Sequence, residues 1–217
     1  MRLSLRGLGS VLTVGLVACL PYQALAQTAI SGVAVGNQAW GGTLGQVFTL
    51  SGPARDVTSL GAFDGAVVGF AAGTTITVGI SNTTYTTIFT QTTFTNVAAG
   101  VPGSGSFTFK TLGAPVTLSA GNYLLFAYGY NASDLNFNTF GAVSPFTLNT
   151  FGGSVSYGSS PFAIAPNSVP NIAEPQTGRY GFASFAFSPL GVAPEPGTLA
   201  LLGLGIMAGA VARRRRA

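Results

Sequence analysis

Between Gln27 and Ala193 the chain holds four carboxylates, Asp56, Asp64, Asp134 and Glu174, and neither histidine nor cysteine. General acid–base chemistry needs positioned groups with tuned proton affinities. Without histidine there is no Ser-His-Asp triad. Without histidine and cysteine there is no zinc site of the usual kind. A carboxylate pair of the type that hydrolyses glycosidic bonds remains open to these four residues. So does a Ca²⁺ site built on Asp64 or Asp134 with backbone carbonyls, although no EF-hand loop is present. The local contexts read as turns instead: Arg55-Asp56, Phe63-Asp64-Gly65 and Ser133-Asp134-Leu135-Asn136. The expectation is a protein that is not an enzyme, with no cofactor and no resident metal.

Two further residue patterns could make a binding surface. Eleven of the 22 residues from Thr74 to Thr95 are threonine. Regular Thr-x-Thr arrays on a flat sheet order surface water, as in some ice-binding proteins, and Thr84 with Thr86 and Thr93 with Thr95 have that spacing. Threonine is also simply a good strand residue that tolerates solvent, and these hydroxyls are acceptable sites for O-glycosylation. Trp40, Tyr128 and Tyr130 could form an aromatic platform for a sugar, with core packing as their alternative role.

Charge separates the ends from the middle. The formal net charge is +4, but Arg2 and Arg6 lie in the first ten residues and Arg213, Arg214, Arg215 and Arg216 in the last five. The middle holds Arg55, Lys110 and Arg179 against its four carboxylates. It carries no basic patch, so nucleic acid is not an expected partner.

The front end has a basic start, an apolar run "GLGSVLTVGLVACL" and a small-x-small site, Ala24-Leu25-Ala26, after Pro21. This is the order of a secretory signal peptide over residues 1–26, with cleavage before Gln27. Leu16-Val17-Ala18-Cys19 resembles a bacterial lipobox. The Ala-x-Ala site that follows, and the Leu20-Pro21 pair, favour Cys19 as an ordinary apolar residue. The body then has no disulfide.

At the other end, Pro194-Glu195-Pro196 precedes 15 uncharged residues, 198–212, and the four arginines. As a helix these 15 residues span about 22 Å, short of a hydrocarbon core of about 30 Å. They can insert where the bilayer thins and the arginines snorkel. The basic flank fixes the cytoplasmic side, which agrees with export of the body. This ordered triple resembles the PEP-CTERM sorting signal. The resemblance implies an exosortase of a Gram-negative bacterium as processing partner, after signal peptidase. It also implies an inner-membrane precursor and a final place on the cell surface or in the exopolysaccharide matrix. It covers only the tail, from about Val192 to Ala217.

The body, 27–188, shows no helical period. Short alternating or aromatic runs are cut by Gly, Pro, Asn and Ser, as in an all-β sandwich. The predicted strands are "GQVFTL", "VTSLGAF", "TTITVGIS", "TTIFTQTTFT", "GSFTFKT", "VTLSAGNYLLFAYGY", "FTLNTF" and "YGFASFAFS". Ile76, Val78 and Ile80 should share one face, as should Phe107 and Phe109. Gly121-Asn122 reads as a turn, and residues 165–178, with three prolines, as a long surface loop. Eight strands is the size of a jelly roll. The spacing of these runs is similar to β-sandwich domains of other PEP-CTERM proteins, some of which resemble carbohydrate-binding modules.

The expected whole is an antiparallel, jelly-roll-like β-sandwich flanked by a signal helix and a transmembrane sorting helix. A linker at 189–193 joins the body to the tail, 194–217. The protein is expected to serve as a non-enzymatic component of the surface or matrix. Alternatives are a carbohydrate-binding domain acting on extracellular polysaccharide, and a threonine-based adhesion or ice-binding surface. Intact-mass and N-terminal sequencing of the exported protein is expected to find Gln27 as the first residue; a lipid-modified Cys19 at the N-terminus would refute that assignment.

Overall fold

The computed structural model describes residues 27–65 and 69–188. The signal segment 1–26, the linker 189–193 and the tail 194–217, with its apolar stretch 198–212, lie outside the described residues. The described part is all-β. Its strands are β1 (Gln27–Thr28), β2 (Ile30–Ser31), β3 (Leu44–Leu50), β4 (Arg55–Phe63), β5 (Thr75–Asn82), β6 (Ile88–Thr95) and β7 (Val101–Pro102), followed by β8 (Phe107–Leu118), β9 (Gly121–Tyr128), β10 (Phe137–Asn138), β11 (Thr147–Leu148), β12 (Val155–Tyr157), β13 (Tyr180–Gly181) and β14 (Ala183–Phe187). Two five-stranded sheets run in the orders β1-β14-β4-β8-β7 and β12-β3-β9-β5-β6. Two short pairs, β2 with β11 and β10 with β13, sit outside them. Every pairing is antiparallel. Among the described residues no helix is long and apolar enough to cross a membrane.

The two large sheets face each other across an aromatic and aliphatic core. Phe48 of β3 meets Phe185 of β14 with ring centres 4.9 Å apart. Phe48 also stacks on its cross-strand partner Tyr123. Phe185 and Phe187 pack edge-to-face at 5.1 Å. Ile76, Val78 and Ile80 are all fully buried, which is what their period-two spacing predicts. Their neighbours Thr77 and Ser81 are buried too, because β5 is covered on both sides. Gly79 has no side chain there for a reason: a Cβ would lie 2.4 Å from the Phe126 ring, and Phe126 is itself buried under Tyr85 at 4.8 Å.

Phe107 and Phe109 do share one face, but it points away from the sheet-to-sheet interior. In the register, Leu60 and Ala62 lie opposite Lys110 and Thr108, while Gly61 and Phe63 lie opposite Phe109 and Phe107. Phe109 covers Gly61. Phe107, Phe63, Phe137 and Phe146 form edge-to-face contacts at 5.4–5.9 Å. The first sheet thus has a second apolar layer, roofed by the strand pairs β2–β11 and β10–β13. Lys110 lies on the inner side, where its Nζ donates to the Thr93 carbonyl of β6 and sits 5.0 Å from the centre of the Phe94 ring. Burial pulls the Lys110 ammonium below its ordinary proton affinity.

Three local expectations change. The β8–β9 turn is at Ser119-Ala120, and Gly121 and Asn122 lie inside β9. The run 146–151 forms only the two-residue β11; Asn149 Oδ1 accepts from the Phe151 N–H, which bends the chain, and Phe151 has φ of +50°. The long 165–178 loop is pinned at both ends. Phe162 and Ile172 exchange two backbone bonds at 3.0 Å, and Ser160 donates to the Glu174 carbonyl. Beneath it, buried Gln46 donates to the carbonyls of Gly158 and Ser159 and accepts from the Ser160 hydroxyl and the Gly178 N–H. A buried amide with all these partners fixes the loop against β3.

Phe185→Ala should cost about 3–5 kcal/mol of unfolding free energy, measured by urea titration. Gln46→Ala should cost about 1–3 kcal/mol through the donors and acceptors it strands. A pH dependence follows from the tyrosines. Burial raises the phenols of Tyr130, Tyr157 and Tyr85 above their ordinary value. Their contribution is complete below about pH 10, where unfolded tyrosine is still neutral. It is lost as the pH rises from there toward the raised native values. The urea midpoint is therefore expected to drop above about pH 10, with no imidazole-linked step near neutrality because the chain has no histidine.

Candidate functional site

β4 separates the carboxylates. Asp56 stands at its start and Asp64 just past its end, eight residues and about 26 Å apart along an extended strand. Asp56 Oδ1 accepts from the Thr117 hydroxyl at 2.5 Å. Glu174 is held by Arg179 at 2.8 Å. Only Asp64 and Asp134 come together, on a cleft of about 340 Å³ lined mainly by Val35, Phe63, Phe70 and Leu135 with Ser133 at its side. No cation lines it among the described residues.

Both aspartates are engaged in ordering the loops around this cleft. Asp64 Oδ2 accepts from the Gly69 N–H at 2.9 Å and from the Thr108 hydroxyl at 3.4 Å. Both Asp134 oxygens accept from the Ala71 N–H, at 3.2 and 3.0 Å. Asn131 holds the Asp134 turn from the other side, its Oδ1 accepting from the N–H groups of Ser133 and Asp134. The turn chemistry expected of these residues is what the structure places there. Among the described residues no three metal-ligating side chains cluster.

The aromatic candidates separate. Tyr130 is fully buried. Its hydroxyl donates to the Phe182 carbonyl and accepts from the Phe63 N–H, tying the end of β9 to the first sheet just beneath the cleft. Trp40 is half-buried, its indole N–H donating to the Ala163 carbonyl at 3.2 Å and its ring edge-on to Phe162. Tyr128 lies parallel to Phe126. The three make no shared flat platform. Nor do the threonines form one array. Thr84 and Thr86 bond each other at 3.0 Å in the turn after β5, where Asn82 Oδ1 accepts from the N–H groups of Thr86 and Thr87, while Thr93 and Thr95 belong to β6.

Of the processing residues, Gln27 is described. It opens β1 and pairs with Phe187. Ala24, Ala26, Pro194, Glu195, Pro196 and Arg213 to Arg216 lie outside the described residues, as does Cys19. Because β1 and β14 are antiparallel neighbours, the chain enters and leaves the body at one end of the sandwich. The Asp64–Asp134 cleft is at the other end, past Phe63. Local pattern does not encode this opposition, which depends on which strands neighbour β14.

Asp134→Ala is expected to speed hydrogen exchange at the Ala71 amide and to cost about 1 kcal/mol, with Asp134→Asn costing less because one acceptor survives.

Residues 192–216 match the PEP-CTERM protein-sorting motif. No curated protein and no solved structure matches the chain. The match begins after the described body ends. The chain thus carries a PEP-CTERM sorting motif, and that motif implies export and processing by an exosortase.

Proposed function

We propose that the chain is a non-enzymatic display domain of the cell surface or exopolysaccharide matrix. In this reading signal peptidase releases Gln27, the tail 194–217 holds the precursor in the inner membrane, and an exosortase then removes it near Pro194-Glu195-Pro196. The observation that carries the reading is the sorting motif at 192–216 behind a body whose first and last strands are neighbours. Both membrane-directed segments then leave the same end of the sandwich, so the body can fold outside while either one is still embedded. The opposite end faces away from the membrane. The four body carboxylates support the non-enzymatic part, since each has a structural partner.

A second reading is favoured by the cleft. A neutral polysaccharide would meet carboxylate acceptors for its hydroxyls and apolar walls at Val35 and Leu135, at the end turned outward. A glycan array on the exported protein separates the two. Selective binding lost in Asp64→Asn supports the saccharide reading; uniform signal across all glycans removes it. For the first reading, deleting residues 192–216 is expected to divert the protein from the surface, and an intact arginine terminus on the surface form would count against processing.

A further inference from the structure

The outermost strands of the two large sheets are β1 and β7 in one and β12 and β6 in the other. β1 and β7 have two residues each and β12 has three, whereas β6 has eight. Very short edges offer little to an incoming strand. The stretch of β8 that β7 leaves uncovered is broken at Leu112–Pro115, which the β4–β8 register passes over. β6 runs Ile88-Phe89-Thr90-Gln91-Thr92-Thr93-Phe94-Thr95, with no charge, glycine or proline.

The ladder decides which backbone groups of β6 face outward. Thr95 turns both its N–H and its C=O away from β5, since they bond Ala98. In an antiparallel pair bonded and non-bonded positions alternate. Thr93 and Gln91 are therefore outward too, while Phe94, Thr92 and Thr90 bond toward β5. Toward Ile88 the register with β5 shifts between Ile80 and Ser81, which ends the regular spacing. An added strand would thus use Gln91 and Thr93. The Thr93 carbonyl is already taken. Lys110 reaches it from β8 of the opposite sheet, donating from Nζ with the Phe94 ring centre 5.0 Å away.

We propose that β6 is a self-association edge that takes β6 of a second copy of this chain, and that Lys110 holds it closed. Symmetry and charge name the occupant. An antiparallel pair centred on Thr92 sets Gln91 of each copy opposite Thr93 of the other, so outward N–H and C=O groups meet their complements. Thr92 then faces Thr92 as a non-bonded pair. The strand carries no charge to repel its own copy. With Lys110 in place, the incoming Gln91 N–H finds its acceptor held by a charged donor, and two ammonium groups are brought to one junction. One side chain of the first sheet thus decides whether the second sheet ends at β6 or runs on into another molecule.

The test uses the full chain in detergent micelles, with Cys19→Ser so that Thr92→Cys supplies the sole thiol. Opposed Cα atoms of a non-bonded pair stand about 4.5 Å apart, within disulfide reach. Under mild oxidation this chain should stay monomeric. Adding Lys110→Met should raise the disulfide-linked dimer about ten- to a hundredfold, through the backbone bonds that the freed Thr93 carbonyls accept. Gln91→Pro removes an outward N–H and spares the bonds to β5, so it should abolish that dimer; contacts through any other surface would not respond to it. If Lys110→Met gives no cooperative melt, Lys110→Gln serves. Linkage no greater in Lys110→Met than in the parent overturns the proposal, as does linkage that survives Gln91→Pro.

Discussion

The last strand is not an edge. β14 lies between β1 and β4 in the first sheet and carries Phe185 and Phe187 into the space between the sheets. The core of a cysteine-free body therefore waits for the final residues of the described chain. Until 183–187 arrive, Phe48 has no partner across the interior, β1 has nothing to pair with, and β4 has one open side. Non-local pairing of this kind is slow to form, because the loop entropy is lost before the contacts are gained.

The second consequence of that arrangement is a division of labour between the two ends. At one end β1 begins, β14 stops and Arg55 sits between two aromatic rings. At the other, Tyr130 ties the sheets together and the aspartates brace the loops around a cleft. The sheets between them are uncharged over most of their area. Their edges are managed with few devices: Thr95 pairs with Ala98 through its own turn, and Lys110 caps Thr93. An uncharged edge such as Ile88–Thr95 would otherwise invite another strand.

Much of the architecture was legible from local pattern. The alternation of Ile76, Val78 and Ile80 located a core face, and the predicted strands from Gly45 to Thr111 overlap the observed ones. Alternation could not say which face of β8 was inner, because both sides of the first sheet are covered; Phe107 packs outward under Phe146 and Phe109 over Gly61, while Thr108 and Lys110 face the core. The turn was misplaced by two residues because Gly121-Asn122 has the right chemistry, but the Ser119 carbonyl, accepting from the Tyr123 hydroxyl, fixes the bend earlier. For the site, residue types gave the turn roles of Asp64 and Asp134. Their meeting on one cleft depends on loops 63 residues apart, from Ala71 to Asp134, which no local spacing encodes. The sorting tail was readable because a sorting signal must be linear to be read.

The pairing of Gln27 with Phe187 has one more implication. A domain whose two ends emerge side by side is topologically close to a closed loop. Its ends could be joined by a few residues and new ones opened at an exposed turn, or the whole body could be spliced into a loop of another protein without prying that host apart. The pairing of its first and last strands makes this sandwich a portable insert.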